Sequence, residues 1–172
     1  MSKFKRMGFT LAEMLLVIAI IGILSGMMMV ASGESVKTTE ANNIVNNLRN
    51  IASAALTFYT DNMDYFTSHP NASEDLAAYV KKYMYSGGST VLNAGSGYHV
   101  RNNKGTWWAG YFIPNSSNND GVKSRLAAKA ASSNLKGTTS SGTDNVTLPE
   151  AQGTDYTTQH DTVWLMIRTN GN

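Results

Sequence analysis

Between Met14 and Gly33 the chain runs for twenty residues without a charged side chain, and no other feature constrains the fold as much. Coiled as a helix, such a run covers about 30 Å, the thickness of a bilayer's hydrocarbon core. Lys3, Lys5 and Arg6 precede it, which places the N-terminus on the cytoplasmic side and the remainder outside. A secretory signal peptide is the competing reading, since Met29-Val30-Ala31 loosely imitates its small-residue cleavage site. Its apolar region, however, is usually about 7–15 residues. The run here is longer.

Glu13 sits at the start of this run, four residues after Phe9. An acid in a membrane helix costs roughly 2.5–3.5 kcal/mol at the centre and less near an end, so it calls for a partner or a function. A cut between Gly8 and Phe9 would create an α-amino group about one helical turn from the Glu13 carboxylate. On a neighbouring helix shifted by about a turn, amine and carboxylate would meet directly, with an attraction of about 4 kcal/mol at ~4 Å and an effective dielectric near 20. Such a pair would set the axial register of one subunit on the next. A proton-carrying role is disfavoured, because a single helix offers the acid no second polar partner.

Gly8-Phe9-Thr10-Leu11-Ala12-Glu13, followed by the long aliphatic run, resembles the prepilin signature of type IV pilins and type II secretion pseudopilins. The resemblance is close over residues 5–35 and looser over 36–66. It implies that a membrane-embedded prepilin peptidase cuts after Gly8 and methylates Phe9, and that Glu13 is the assembly residue. It further implies lipid around the helix before assembly, an inner-membrane assembly platform, and a helical filament of copies of the chain with themselves or with related subunits. The chain departs from the pattern at Val30, where many members carry a proline, so a kink there is not expected. Gly22, Gly26 and Gly33 soften the helix instead, at up to about 1 kcal/mol each relative to alanine. Gly22 and Gly26 also form a small-xxx-small spacing that permits close approach of membrane helices.

Beyond Ser32 the sequence turns to Asn, Ser, Thr and Gly with interspersed aromatics. Ile44, Leu48, Ile51, Ala55 and Phe58 recur at helical spacing and predict an apolar stripe facing a sheet, with a break near Asp61-Asn62. Ser73-Glu74-Asp75 reads as the capped start of a short helix with Leu76, Val80 and Tyr83 on its apolar side, ended by Gly87-Gly88. Tyr98–Arg101 and Thr106–Ile113 read as strands joined by a turn through Gly105, and Asp120 caps a helix to about Ser132. Residues 137–147 read as a polar loop. In the strand expected over Thr162–Thr169, Val163, Leu165 and Ile167 alternate with Trp164, Met166 and Arg168. The expected fold class is α+β: a long N-terminal helix, transmembrane in its first half, packed on a small antiparallel sheet head, which is also the pilin-like fold that the resemblance implies. The divisions are a removed leader (1–8), a transmembrane and filament-core helix (9–33), its amphipathic continuation (34–62) and a globular head (63–172).

Little in the chain looks catalytic. There is no cysteine, hence no disulfide and no thiolate chemistry. His69, His99 and His160 are isolated, and no serine lies in a nucleophile motif. Without residues 1–8 the basic side chains fall from 14 to 11 against 12 acidic ones, too few to expect nucleic acid as a partner. Asp144, Asn145, Glu150, Asp155 and Asp161 carry oxygens of the type that binds Ca²⁺, and some major pseudopilins hold calcium in a C-terminal loop. Their spacing matches no recognised pattern, so solvated acids are the expectation, with Asp144, Asp155 and Asp161 as the candidates to test. Trp107, Trp108 and Tyr111 are expected to pack in the core rather than form an adhesive patch. The expected function is a non-enzymatic filament subunit without a cofactor. The missing disulfide and a loose likeness of 56–62 to the helix end of major pseudopilins tilt the reading toward secretion rather than a pilus. The alternatives are a membrane-anchored binding module that never polymerises, and a secreted hydrolase starting near Ser32.

Overall fold

The computed structural model describes residues 9–68, 73–85, 90–103, 105–140, 142, 146–150 and 153–168. The leader with Gly8, His69, Gly87-Gly88, Asp144 and Asn145 lie outside them. The chain divides into two compact units, Met1–Val36 and Lys37–Asn172. Helix α1 (Leu11–Asp61) begins in the first and ends in the second.

In the first unit α1 carries its apolar side chains all round, and none of the apolar window is buried within the chain. Phe9, Leu11, Ile18, Met28 and Met29 are among the exposed large side chains. A helix apolar on every face needs an apolar surrounding, lipid or other helices. This is the one helix among the described residues long and apolar enough to cross a membrane.

In the second unit the periodicity becomes one-sided. Ile44, Leu48, Ile51, Ala55 and Phe58 are buried, joined by Ala41, Val45 and Ala54, so the expected stripe is present. It packs on a five-stranded antiparallel sheet of order β1-β2-β3-β5-β4. The strands are β1 (Ser73–Asp75), β2 (Tyr98–Asn103), β3 (Thr106–Phe112), β4 (Leu135–Thr138) and β5 (Thr162–Arg168). Two short helices, α2 (Met63–Ser68) and α3 (Ala77–Val80), flank β1. Helix α4 (Asp120–Ser133) adds Val122, Leu126 and Ala130 to the same core. It runs beside α1. The aliphatic stem of Lys37 fills the space that a Cβ would take at Gly121, Lys129 Nζ donates to Asn42 Oδ1 at 2.6 Å, and Arg49 Nη2 to Ser133 Oγ at 3.4 Å.

Several expectations need correction. Ser73–Asp75 is a strand, paired with Asn103–Arg101, rather than a helix start. Asp75 is not the cap of α3, whose N-cap is Leu76 without a side-chain cap bond; Asp75 Oδ1 accepts from Ala77 N at 3.0 Å in a local turn, and Asp75 also pairs with Arg101 at 3.0 Å across the strands. The polar stretch from 137 is in part a strand. Asn134 closes α4 in the left-handed region (φ 51°), and β4 follows at once. Gly137 suits that strand, because the His160 ring occupies the place of its Cβ.

Alternation also fails at Arg168. A β-bulge shifts the β3–β5 register between Trp107 and Trp108, so that Trp107 faces Arg168 while Trp108 faces Met166. One extra residue on β5 turns Arg168 to the helix side. Its guanidinium lies 3.6 Å from the centre of the Tyr59 ring. Trp107 enters the core against Phe66 (4.8 Å between ring centres) and Tyr59 (5.6 Å). Trp108 and Trp164 are buried outside that cluster, and Trp164 lies across Gly110 with its indole donating to Thr138 Oγ1 at 2.8 Å. Trp107 and Trp108 are thus buried as expected from the sequence, Tyr111 is only partly buried, and Trp164 is buried on the sheet's other face.

Two outcomes follow from this packing. A Cβ at Gly110 would sit 2.3 Å from the Trp164 ring, so Gly110→Val is expected to cost about 1–3 kcal/mol, read as a lowered Tm of the full chain in detergent. His160 Nδ1 accepts from Thr157 N at 3.0 Å. Burial lowers its pKa, partly offset by Asp161 and reinforced by Lys123. Protonation is thus harder folded than unfolded, so stability is complete above the ordinary value of 6.5 and is lost as pH falls through the lower folded value. Thermal unfolding between pH 8 and 5 checks this, and His160→Gln is expected to flatten the profile.

Candidate processing and assembly site

The N-terminal end of α1 brings Thr10 and Glu13 together. Thr10 N and Thr10 Oγ1 both donate to Glu13 Oε2 at 2.8 Å, and Glu13 N donates to Thr10 Oγ1 at 3.3 Å. This is a reciprocal capping box, in which the first and fourth residues of a helix start satisfy each other's backbone donors. It also places a carboxylate in the first turn, where the helix dipole favours negative charge. The pattern was legible in Thr10-Leu11-Ala12-Glu13. Reading Glu13 only as a charge in lipid hid Thr10's part in holding it.

All the hydrogen bonds that engage the carboxylate use Oε2. Among the described residues Oε1 has no hydrogen-bond partner. Phe9, immediately before Thr10, is exposed. Gly8 lies outside the described residues. Gly22 and Gly26 open onto empty space, with nothing within 4 Å of an added Cβ. They meet no neighbour in the chain itself.

Two of the acids weighed for calcium, Asp155 and Asp161, have protein partners. Asp155 Oδ1 pairs with Lys136 Nζ at 2.8 Å. Asp161 is buried, and its Oδ1 accepts from Ser140 N at 2.7 Å and from Thr162 Oγ1 at 3.0 Å. Asp144 lies outside the described residues. Among those residues no group of three or more His, Asp or Glu is placed to hold a metal ion. Asp161 instead fastens the connection between β4 and β5, an anchoring that its spacing from Ser140 does not reveal.

No curated protein and no solved structure matches the chain. Residues 5–29 match the family model described as the prokaryotic N-terminal methylation motif. That match covers the Thr10–Glu13 pair and the exposed apolar part of α1 as far as Met29, and it is consistent with the type IV pilin and pseudopilin family.

Proposed function

We propose that this chain is a structural subunit of a type IV pilus-like filament, of the kind that supports protein secretion. It is cut after Gly8, methylated on Phe9 and assembled through α1. The observation that carries the reading is Glu13, held at the start of an apolar helix with one carboxylate oxygen unengaged among the described residues, about one turn from the nitrogen that cleavage would expose. Removing residues 1–8 takes away Lys3, Lys5 and Arg6 and supplies one amine at that point. In lipid an isolated carboxylate is costly, and a neighbouring subunit's terminal amine relieves that cost at one axial offset only. Register then follows from charge, and grip from the apolar side chains that surround the helix.

In this reading the precursor is a single-pass membrane protein with its N-terminus in the cytoplasm and the unit 37–172 outside. Its partners are prepilin peptidase, an inner-membrane assembly platform and other copies. The Asp155–Lys136 pair favours a head that closes its C-terminal region by charge, where a cysteine-free chain has no disulfide.

N-terminal sequencing or intact mass of the native protein tests processing, with methylated Phe9 as the expected first residue. A start at Met1 or near Ser32 removes the proposal. Glu13→Ala is expected to leave membrane insertion intact and to reduce the sheared filament fraction about tenfold or more, in line with loss of a pair worth at least ~1.4 kcal/mol. Thr10→Val removes the cap hydroxyl and is expected to cost about 1 kcal/mol of helix start, read as faster amide exchange at residues 11–13 in micelles, with Thr10→Ser close to wild type.

A further inference from the structure

Among the described residues of the unit Lys37–Asn172, the exposed large apolar side chains all fall between positions 56 and 85. They are Leu56, Met63, Tyr65 and Tyr79, each 43–52 % exposed, and Tyr85 at 94 %. Of these, Tyr65 and Tyr79 share one hollow at the end of α1, of about 270 Å³ and floored by Phe58, Phe66 and Leu76, with Tyr79 stacked on Phe58 at 5.9 Å and Tyr65 edge-on to Phe66 at 5.1 Å. A second hollow of about 390 Å³ lies beside it, between Ser53, Thr57 and Tyr85. Asp61 and Asp64 are exposed where α1 ends and α2 begins. The patch is therefore aromatic, with Asp61 and Asp64 at its α1–α2 edge and Lys82 exposed beside Tyr83. Tyrosine is enriched in protein interfaces, and here two half-exposed tyrosines wall one apolar hollow.

The complementary chemistry is on the same chain. Along the seam of α1 and α4, Arg49 is exposed and touches a neutral hydroxyl, Ser133, while Lys129 reaches the neutral amide oxygen of Asn42. Arg125 lies one turn before Lys129 on α4. Among the described residues neither Arg49 nor Lys129 is paired with a carboxylate. A guanidinium laid on a tyrosine ring is a favourable contact, and the head already makes one, between Arg168 and Tyr59.

We propose that the Tyr65–Tyr79 patch with Asp61 and Asp64 receives the basic α1–α4 seam of a second copy of this chain. The inference rests on the filament reading and names the contact between its heads. Two different, complementary patches on one chain make a heterologous contact, which propagates into an open helix instead of closing as a dimer. Charge sets the orientation of the contact, and the tyrosine hollow supplies the desolvated centre where interface energy concentrates.

The chain contains no cysteine, so paired substitutions report contacts without background. Full-length chains carrying Arg49→Cys with Tyr79→Cys, expressed with the assembly machinery and treated with a short bismaleimide, are expected to give a ladder of dimers, trimers and longer species. Neither single variant is expected to do so. A dimer from Tyr79→Cys alone would show a self-complementary patch and overturn the proposal, as would an adduct with a different protein. Filaments that form normally but give no ladder would overturn it too. Asp61→Lys with Asp64→Lys, and Arg49→Glu, are each expected to lower filament yield about tenfold, with recovery when they are combined; failure to recover counts against the charge pairing. If the unaltered chain yields no filaments at all, the filament reading itself fails, an outcome distinct from filaments lacking this contact.

Discussion

A carboxylate at the threshold of an apolar helix has to be neutralised close at hand, because lipid cannot solvate it. Here the chain does part of this by itself. Thr10 donates twice to one oxygen of Glu13, and Glu13's own backbone N–H returns to Thr10. The pairing satisfies backbone donors that a helix start always leaves open, so the acid is useful to the isolated subunit. It is also incomplete, since Oε1 remains unengaged among the described residues. A group half satisfied within one chain suits the filament reading, because it tolerates the membrane before assembly and gains from a neighbour's amine afterwards.

The same helix changes its role at about Lys37. From Met14 to Gly33 its side chains carry no charge and are mostly apolar all round, so they need an apolar medium. Beyond, the stripe from Ala41 to Phe58 is buried by the head's own sheet and by α4, while the other face carries amides, hydroxyls and charges. The head is held by a dense aromatic cluster in which Phe58, Tyr59, Phe66 and Trp107 lie within ring-contact distance. Those rings secure the end of α1 to the sheet and leave Tyr65 and Tyr79 on the outside. The surface proposed as a subunit contact is thus the outer layer of the cluster that makes the head rigid, and rigidity there limits the ordering cost of association.

How much could be read in advance varied with the kind of signal. The burial of Ile44 through Phe58 followed from spacing alone, as did β2, β3, α4 and β5 to within a few residues. The strand at Ser73–Asp75 was missed because serine and acidic residues are the usual chemistry of a helix cap. There the pairing of Asp75 with Arg101, twenty-six positions away, overrode the local preference. Strand β4 was missed because Gly137 and Thr138 resemble a loop. They serve as a strand since glycine alone leaves room for the His160 ring. Arg168 was assigned to the wrong face because alternation assumes an unbroken register, and a bulge is invisible until two strands are paired.

By itself, then, the sequence determined what depends on neighbours along the chain. It set the length and uniform apolarity of the first helix, the acid four residues after Phe9, the helical stripe and the absence of thiol chemistry. Periodicity and capping act over a turn or two, so they survive in the linear order of residues. Tertiary structure alone decided what depends on distant partners: the Asp75–Arg101 and Lys136–Asp155 pairs, the anchoring of Asp161, the turning of Arg168 onto Tyr59, and the gathering of exposed tyrosines at one end of the head. Those outcomes rest on which surfaces meet after chain reversal, and no local pattern encodes the register of that meeting.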